Sequence, residues 1–331
     1  MSGIRLTQIV LTAALVLALA RPLHAQTIGY AEAIGLLGLN CGTDIDKFCK
    51  STNLGGGRVQ QCLERNQATV SPQCRASAHN LSILLKKRAA ARATVARICD
   101  ADRLRFCNGI QPGDGNLMEC FEKAKRNISA KCQQAVADAG YDVSLATGPI
   151  TDQIHLSSND IVSSLHGVEA SSPSINATSL RQLAVQSVAN PSRAGRMNRA
   201  PLSEQLNSLA QLTVAIQFDF DSARIRPNSF RAVGLMADAL YSPYLQDYCF
   251  LVVGHTDAKG SREYNLKLSQ QRADAIREAL INPFGINPAH IEAVGLGEEQ
   301  LLNPSSPEAA ENRRVQLINI GQLGANGQCS R

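Results

Sequence analysis

The residue types that could do chemistry cluster in two ways in this 331-residue chain. Ten cysteines are spread between positions 41 and 329. None forms a Cys-x-x-Cys pair, so neither a zinc ribbon nor a thioredoxin-type redox motif is expected, and no metal site. The second cluster is Gly254-His255-Thr256-Asp257, followed by Asn265, Ser269 and Arg272. Those last three are spaced by four and three residues, so a helix would present them on one face. Adjacent His, Thr and Asp invite a catalytic reading. A nucleophilic serine needs a strained elbow, however, and the sequence has no Gly-x-Ser-x-Gly. It also has no His-Glu-x-x-His, no P-loop and no dinucleotide-type Gly-x-Gly-x-x-Gly. His255 is therefore expected to be structural, with no catalytic residue and no cofactor.

The compartment follows from the N-terminus. Arg5 precedes a mostly apolar run over residues 6–20, and Ala25 precedes Gln26. That order of charge, short apolar run and small residue predicts a secretory signal over residues 1–25. No later stretch approaches the 18 apolar residues of a membrane helix. Cys41 follows Asn40 and lies far past the apolar run, so lipid attachment is not expected. Export places all ten cysteines in an oxidising compartment, where disulfides are their default state.

The cysteines also reveal a duplication. Cys41, Cys49, Cys62 and Cys74 are matched by Cys99, Cys107, Cys120 and Cys132, each offset by 58 residues. The neighbours agree: CGTDIDKFC against CDADRLRFC. Each unit, 41–82 and 99–140, reads as a helical hairpin with a Gly-rich turn, stapled because two short helices bury little apolar area. Four cysteines permit three pairings. An antiparallel hairpin favours Cys49–Cys62 with Cys41–Cys74, and Cys107–Cys120 with Cys99–Cys132. The twelve-residue spacing places the last two cysteines about 120° apart on an ideal helix, so other pairings stay open. The spacing resembles the cysteine-rich repeat of the Golgi apparatus protein (cysteine-rich fibroblast growth factor receptor) family, which implies an extracytoplasmic binding or scaffolding module.

Charge is uneven. Residues 26–140 hold 16 Lys/Arg against 10 Asp/Glu, and residues 206–331 hold 11 against 13. Lys86, Lys87, Arg88, Arg92 and Arg97 make the Ala-rich stretch 84–97 a basic helix. It reads as a solvated face or as attraction to anionic envelope polymers; nucleic acid is not expected after export. Residues 141–205, rich in Ser, Asn, Thr and Pro, read as a flexible linker with one or two short helices, as at 180–188. Beyond it, strand signals at 212–218, 250–254, 291–296 and 315–320 alternate with helical spacing at 229–240 and 265–281. That order suggests an α/β sandwich, helices on one side of a mixed sheet. A bridge between Cys249 and Cys329 is expected, because adjacent antiparallel strands bring the two within reach.

Four motifs in order carry a second resemblance: FDFDSARIRP at 218–227, GHTDAKGSREYNLKLSQQRA at 254–273, GLGEEQLLNP at 295–304 and ENRRVQLI at 311–318. Together they resemble the OmpA-like peptidoglycan-binding domain shared by OmpA, Pal and MotB. The resemblance implies recognition of the diaminopimelate of the peptide stem. Asp257 would accept from its ammonium and Arg272 would fork onto its carboxylate. Asn265, Ser269 and Thr256 would support the ligand, Arg314 would match the family's basic position on the last strand, and Asp219 would flank the site.

The expected architecture is thus an α+β multidomain chain. It has a signal (1–25), two disulfide-stapled helical repeats (26–140), a flexible linker (141–205) and an OmpA-like α/β sandwich (206–331). The expected role is a non-catalytic periplasmic protein on peptidoglycan, associated with the cell wall and the outer membrane. Residues 26–140 are assigned to a second envelope protein or anionic polymer. The alternative is a peptidoglycan-active enzyme in which the OmpA-like domain only targets.

Overall fold

The computed structural model describes residues 27–110, 114–141, 157–166, 175–190, 206–282, 284–324 and 329. The expected export signal lies outside the described residues. Helix α1, Tyr30–Phe48, buries Ile34, Cys41 and Ile45. Helix α2, Arg58–Arg65, carries Cys62, and α3, Pro72–Ile98, carries Cys74. The stretch expected as one second helix is therefore two. Pro72 cannot sit inside a helix, and it starts α3 behind Ser71, whose hydroxyl accepts from the Cys74 N–H. Asp44 in turn accepts from the Ser71 N–H and hydroxyl.

The second repeat copies this arrangement in α4, Asp100–Phe106, α5, Asp114–Lys123, and α6, Ala130–Asp138. There Ser129 is the cap and Asp102 its acceptor. The break between helices removes the 120° obstacle. The disulfides are Cys41–Cys74, Cys49–Cys62, Cys99–Cys132, Cys107–Cys120 and Cys249–Cys329. The last ties the end of the chain to the start of a central strand.

The basic stretch 84–97 lies on α3, which runs unbroken for 27 residues from one repeat to the next. Only part of it faces solvent. Arg88 is buried and paired with Asp238 at 2.8 Å, and Arg92 stacks 3.1 Å from the ring centre of Tyr241, close to Tyr30 and Tyr141. Arginine suits both positions because its planar, weakly hydrated head tolerates burial against rings and a carboxylate.

The C-terminal unit is a four-stranded sheet: β1, Gln211–Val214; β2, Tyr248–His255; β3, Ile291–Gly297; β4, Val315–Gln322, in the order β1-β4-β2-β3. β2 and β3 are parallel, and β4 is antiparallel to β1 and β2. Two further helices precede β1: α7, Ser158–Leu165, and α8, Ala177–Ala189. Two follow it: α9, Phe230–Leu240, and α10, Arg262–Ile281. Phe250, Val252, Ala293 and Leu317 join the main core with α9 and α10. The alternate residues Leu251, Val253, Val294, Leu296 and Ile318 belong to a second core. A strand apolar on both faces must be covered on both, so helices on one side alone would not suffice. The second cover is α8 together with Leu206 and Leu209.

The short helices expected within the linker are thus present, as at 180–188, but they are packed on the C-terminal unit rather than mobile. α8 also guards the free edge of β3, where Arg181 donates to the Ala293 carbonyl at 3.0 Å. α7 buries Ile161 and Leu165 in the main core, and Asn319 donates to the Leu165 carbonyl.

The first repeat is likewise not a separate body. Tyr30, Ile34 and Ile45 of α1 share one core with Phe230, Met236 and Leu240 of α9. Asp238 on α9 accepts from the Tyr30 and Ala31 N–H groups at the start of α1 and from Arg88. Removing one partner of a buried pair strands the other charge. Asp238→Ala is expected to lower stability by about 3–5 kcal/mol. Adding Arg88→Met should recover part of that loss, as urea denaturation of the oxidised chain will measure.

Candidate functional site

The site forms at the carboxyl ends of the parallel strands β2 and β3. Beyond His255, the Thr256 N–H bonds the Gly297 carbonyl at 2.9 Å, turning the chain so that Asp257 follows the sheet edge. Helix α10 then begins behind the Ser261 cap, whose hydroxyl accepts from Tyr264 N–H. This helix lies unusually close to the strands. A Cβ on Gly295 would meet the Gln270 backbone nitrogen at 2.1 Å, so only glycine fits there.

Asp257 is 7% exposed. Its carboxylate accepts from Arg313 Nη1 at 2.5 Å and from the Lys259 N–H at 3.3 Å. An ionised carboxylate has about four lone-pair sites, so capacity remains for a ligand ammonium. Arg272, on the same helix as Asn265 and Ser269, lies over the Phe218 ring at 4.9 Å and donates Nε to the Ser222 carbonyl at 3.0 Å. Its two terminal nitrogens bond no group among the described residues. The fork is therefore held by its stem and open at its tip. Burial lowers the Arg272 pKa and the neighbouring Arg313 charge adds to that, while Asp257 and Asp221 oppose it. Arg313, Asp257 and Asp221 thus all lie within electrostatic reach of Arg272.

The other expected residues divide. Asn265 is buried and donates to the Asp257 carbonyl at 3.2 Å and to Glu298 at 2.5 Å. It shapes the loop that presents Asp257. Ser269 is fully buried; its hydroxyl accepts from Gly297 N–H and donates to the Leu266 carbonyl, which locks α10 to β3. Thr256 is buried, with its main chain in the strand-end turn. Asp219 has both oxygens occupied, by Arg224 at 2.6 Å and Arg226 at 3.0 Å. Burial pushes its pKa up, but these two arginines outweigh it and hold the carboxyl below the usual range.

Arg314 is not among the groups gathered around Asp257. Its guanidinium is buried toward the Gln300 carbonyl at 3.1 Å, and burial lowers its pKa to about 10. Its neighbour Arg313 reaches Asp257 instead. Successive residues entering a strand point to opposite sides, and in Arg313-Arg314 that alternation is the only signal that could have separated the two roles.

His255 is 2% exposed. Burial, reinforced by the Arg314 charge and opposed by Gln316, holds its pKa well below the ordinary value. The folded chain then refuses a proton that the unfolded chain accepts. Its share of stability is complete above the unfolded value and falls away as pH drops through ~6.5, by up to about 1.4 kcal/mol per pH unit. In His255→Gln, urea denaturation at pH 7.5 and 5 should show a smaller loss on acidification than in the wild type.

Comparison with known proteins covers this same unit. Residues 217–314 match the OmpA family. Outer membrane porin F of Pseudomonas aeruginosa is 34% identical over 113 residues, 33% of this chain and 31% of that protein. The peptidoglycan-associated lipoprotein of the same organism is 35% identical over 102 residues, 30% of this chain and 58% of that one. The chain thus spans under two thirds of either relative. The crystal structure of the peptidoglycan-associated lipoprotein from Burkholderia pseudomallei is 34% identical, covering 32% of this chain and 89% of that one, with a TM-score of 0.28. Asp257 and Arg272 at the strand ends both lie within the residues that match the OmpA family.

Proposed function

We propose that this is a non-catalytic protein of the periplasm that holds peptidoglycan by the diaminopimelate of its peptide stem. The observation that carries the reading is a nearly buried carboxylate, Asp257, within electrostatic reach of the open fork of Arg272. A carbon bearing both an ammonium and a carboxylate is met by an acceptor and a two-pronged donor. Arg313 pairs with Asp257 and is half-exposed, so it can yield to a ligand ammonium. The names of the relatives, an outer membrane porin and peptidoglycan-associated lipoproteins, support an envelope location. No helix among the described residues is long and apolar enough to cross a membrane.

A second envelope contact is assigned to residues 26–140, of which the first repeat shares its core with the C-terminal unit and the second packs against Tyr241. The resemblance of both repeats to the Golgi apparatus protein family supports a binding or scaffolding role there. Leu104 and Ile110 on the second repeat are exposed.

Co-sedimentation of the full chain with purified diaminopimelate-type sacculi tests the first claim. Asp257→Ala is expected to lose most of the pelleted protein. Arg272→Lys keeps the charge but loses the parallel pair of N–H bonds, and is expected to bind on the order of tenfold more weakly. Equal pelleting of Arg272→Lys and wild type would mean general electrostatic adhesion and sink the specific reading.

A further inference from the structure

The hairpin at 217–226 is the part of the site most in need of support. Only Phe218 and Ile225 form a bridge, flanked by the bonds from Asp219 N–H to the Arg224 carbonyl and from Arg226 N–H to the Gln217 carbonyl. Its tip is open to solvent: Phe220 is 96% exposed and Asp221 adopts a left-handed φ of 52°. Yet this tip supplies the Ser222 carbonyl that fixes Arg272.

The support comes from the other end of the chain. Asn53, in the first repeat's turn, donates to the Ala223 carbonyl at 2.7 Å and accepts from the Ile225 N–H at 3.0 Å. One amide thereby clamps the backbone on both sides of Arg224. Asp46, near the end of α1, accepts from Arg224 Nη2 at 2.7 Å, and the other arm of Arg224 holds Asp219. The turn that carries Asn53 is itself fixed. Cys49 and Cys62 bridge its ends, and Gly55, Gly56 and Gly57 all take positive φ. The gripping residues are not part of the repeat pattern. Fifty-eight residues on, the second repeat has Leu104 where the first has Asp46, and Gln111 where it has Asn53. Asp44 and Asp102, by contrast, make the same internal bonds to Ser71 and Ser129.

We infer that the first cysteine-rich repeat is a positioning device for the wall-binding site: Asn53 and Asp46 hold the 217–226 hairpin, whose Ser222 carbonyl aims the fork of Arg272. This rests on the reading of Asp257 and Arg272 as ligand residues. Neither Asn53 nor Asp46 touches the ligand; both act through Arg272. The isolated C-terminal unit therefore binds more weakly than the whole chain.

The test is calorimetric titration of the oxidised full chain with a stem tripeptide ending in diaminopimelate. Asn53→Ala is expected to bind about tenfold more weakly, and Asp46→Asn several-fold, with Asp46→Glu restoring part. Asp46 is 59% exposed, so its variants report even where Asn53→Ala disturbs folding. Glu278→Ala removes the exposed Arg58–Glu278 pair of the same interface without touching the hairpin, and should bind like wild type. The discriminating readout is the double-mutant cycle. In an Arg272→Lys background, Asn53→Ala should cost little more, because the fork it aims is already gone. Full additivity there, or wild-type affinity in Asn53→Ala and Asp46→Asn alike, overturns the positioning role while leaving the ligand reading intact. A wild-type chain that does not bind the tripeptide overturns the ligand reading itself, and the inference with it.

Discussion

The carboxylate of Asp238 accepts two backbone N–H groups from the start of α1 and one guanidinium N–H from Arg88 of α3, and both side chains of that ion pair are withdrawn from water. A helix start is electropositive and leaves N–H groups without partners inside the helix. A buried arginine likewise demands an anion. One residue of the C-terminal unit answers both demands. Around it Tyr30, Tyr141 and Tyr241 enclose Arg92, so α1, α3 and α9 meet at a single polar knot inside an otherwise apolar contact. Apolar burial between α1 and α9 supplies the bulk of the attraction; the knot fixes the register, because a shift of one helical turn would leave charges buried without partners.

With the register fixed, the rest follows in layers. The first repeat is seated so that its turn lies on the 217–226 hairpin, and the hairpin lies on α10. Helix α10 is pressed on β3 through Gly295 and locked there by Ser269. Arg272 and the hairpin that holds it are thus the last members of a stack whose lower members are closely packed. Geometry of this kind suits recognition of a small zwitterion, for which an ångström of error in the fork would cost both of its parallel bonds.

Much of this was legible in the residues. The 58-residue offset of the cysteines announced the duplication, and turn geometry favoured the pairings that the structure contains. The run of strand and helix signals after residue 206 foreshadowed the mixed sheet, and spacing along α10 put Asn265, Ser269 and Arg272 on one face. What escaped was contact between distant segments. The uninterrupted apolar run at 250–253 did demand two covered faces, but nothing local says that residues 177–189 provide the second cover. The basic stretch 84–97 looked solvated because no short-range pattern tells Arg88, which meets a carboxylate 150 positions later, from Lys87, which meets water. Arg313 and Arg314 were indistinguishable by type and separable only by the side of the strand each enters.

The bond between Cys249 and Cys329 spans 80 positions, and within that span lie Asp257, Arg272 and Arg313. Mechanically, the residues proposed to bind the ligand sit inside a covalent ring. On the proposed reading, with a rigid polymer held at one end and a second contact at the other, the chain would be a tension member. Load applied from the N-terminal side can strip β1 and α9 away, but it stops at Cys249 and cannot run out the residues beyond. Roughly 270 Å of contour length is withheld from extension. Under load, then, the chain would slacken by shedding its outer supports in sequence, while the strands between Cys249 and Cys329 stay closed on themselves.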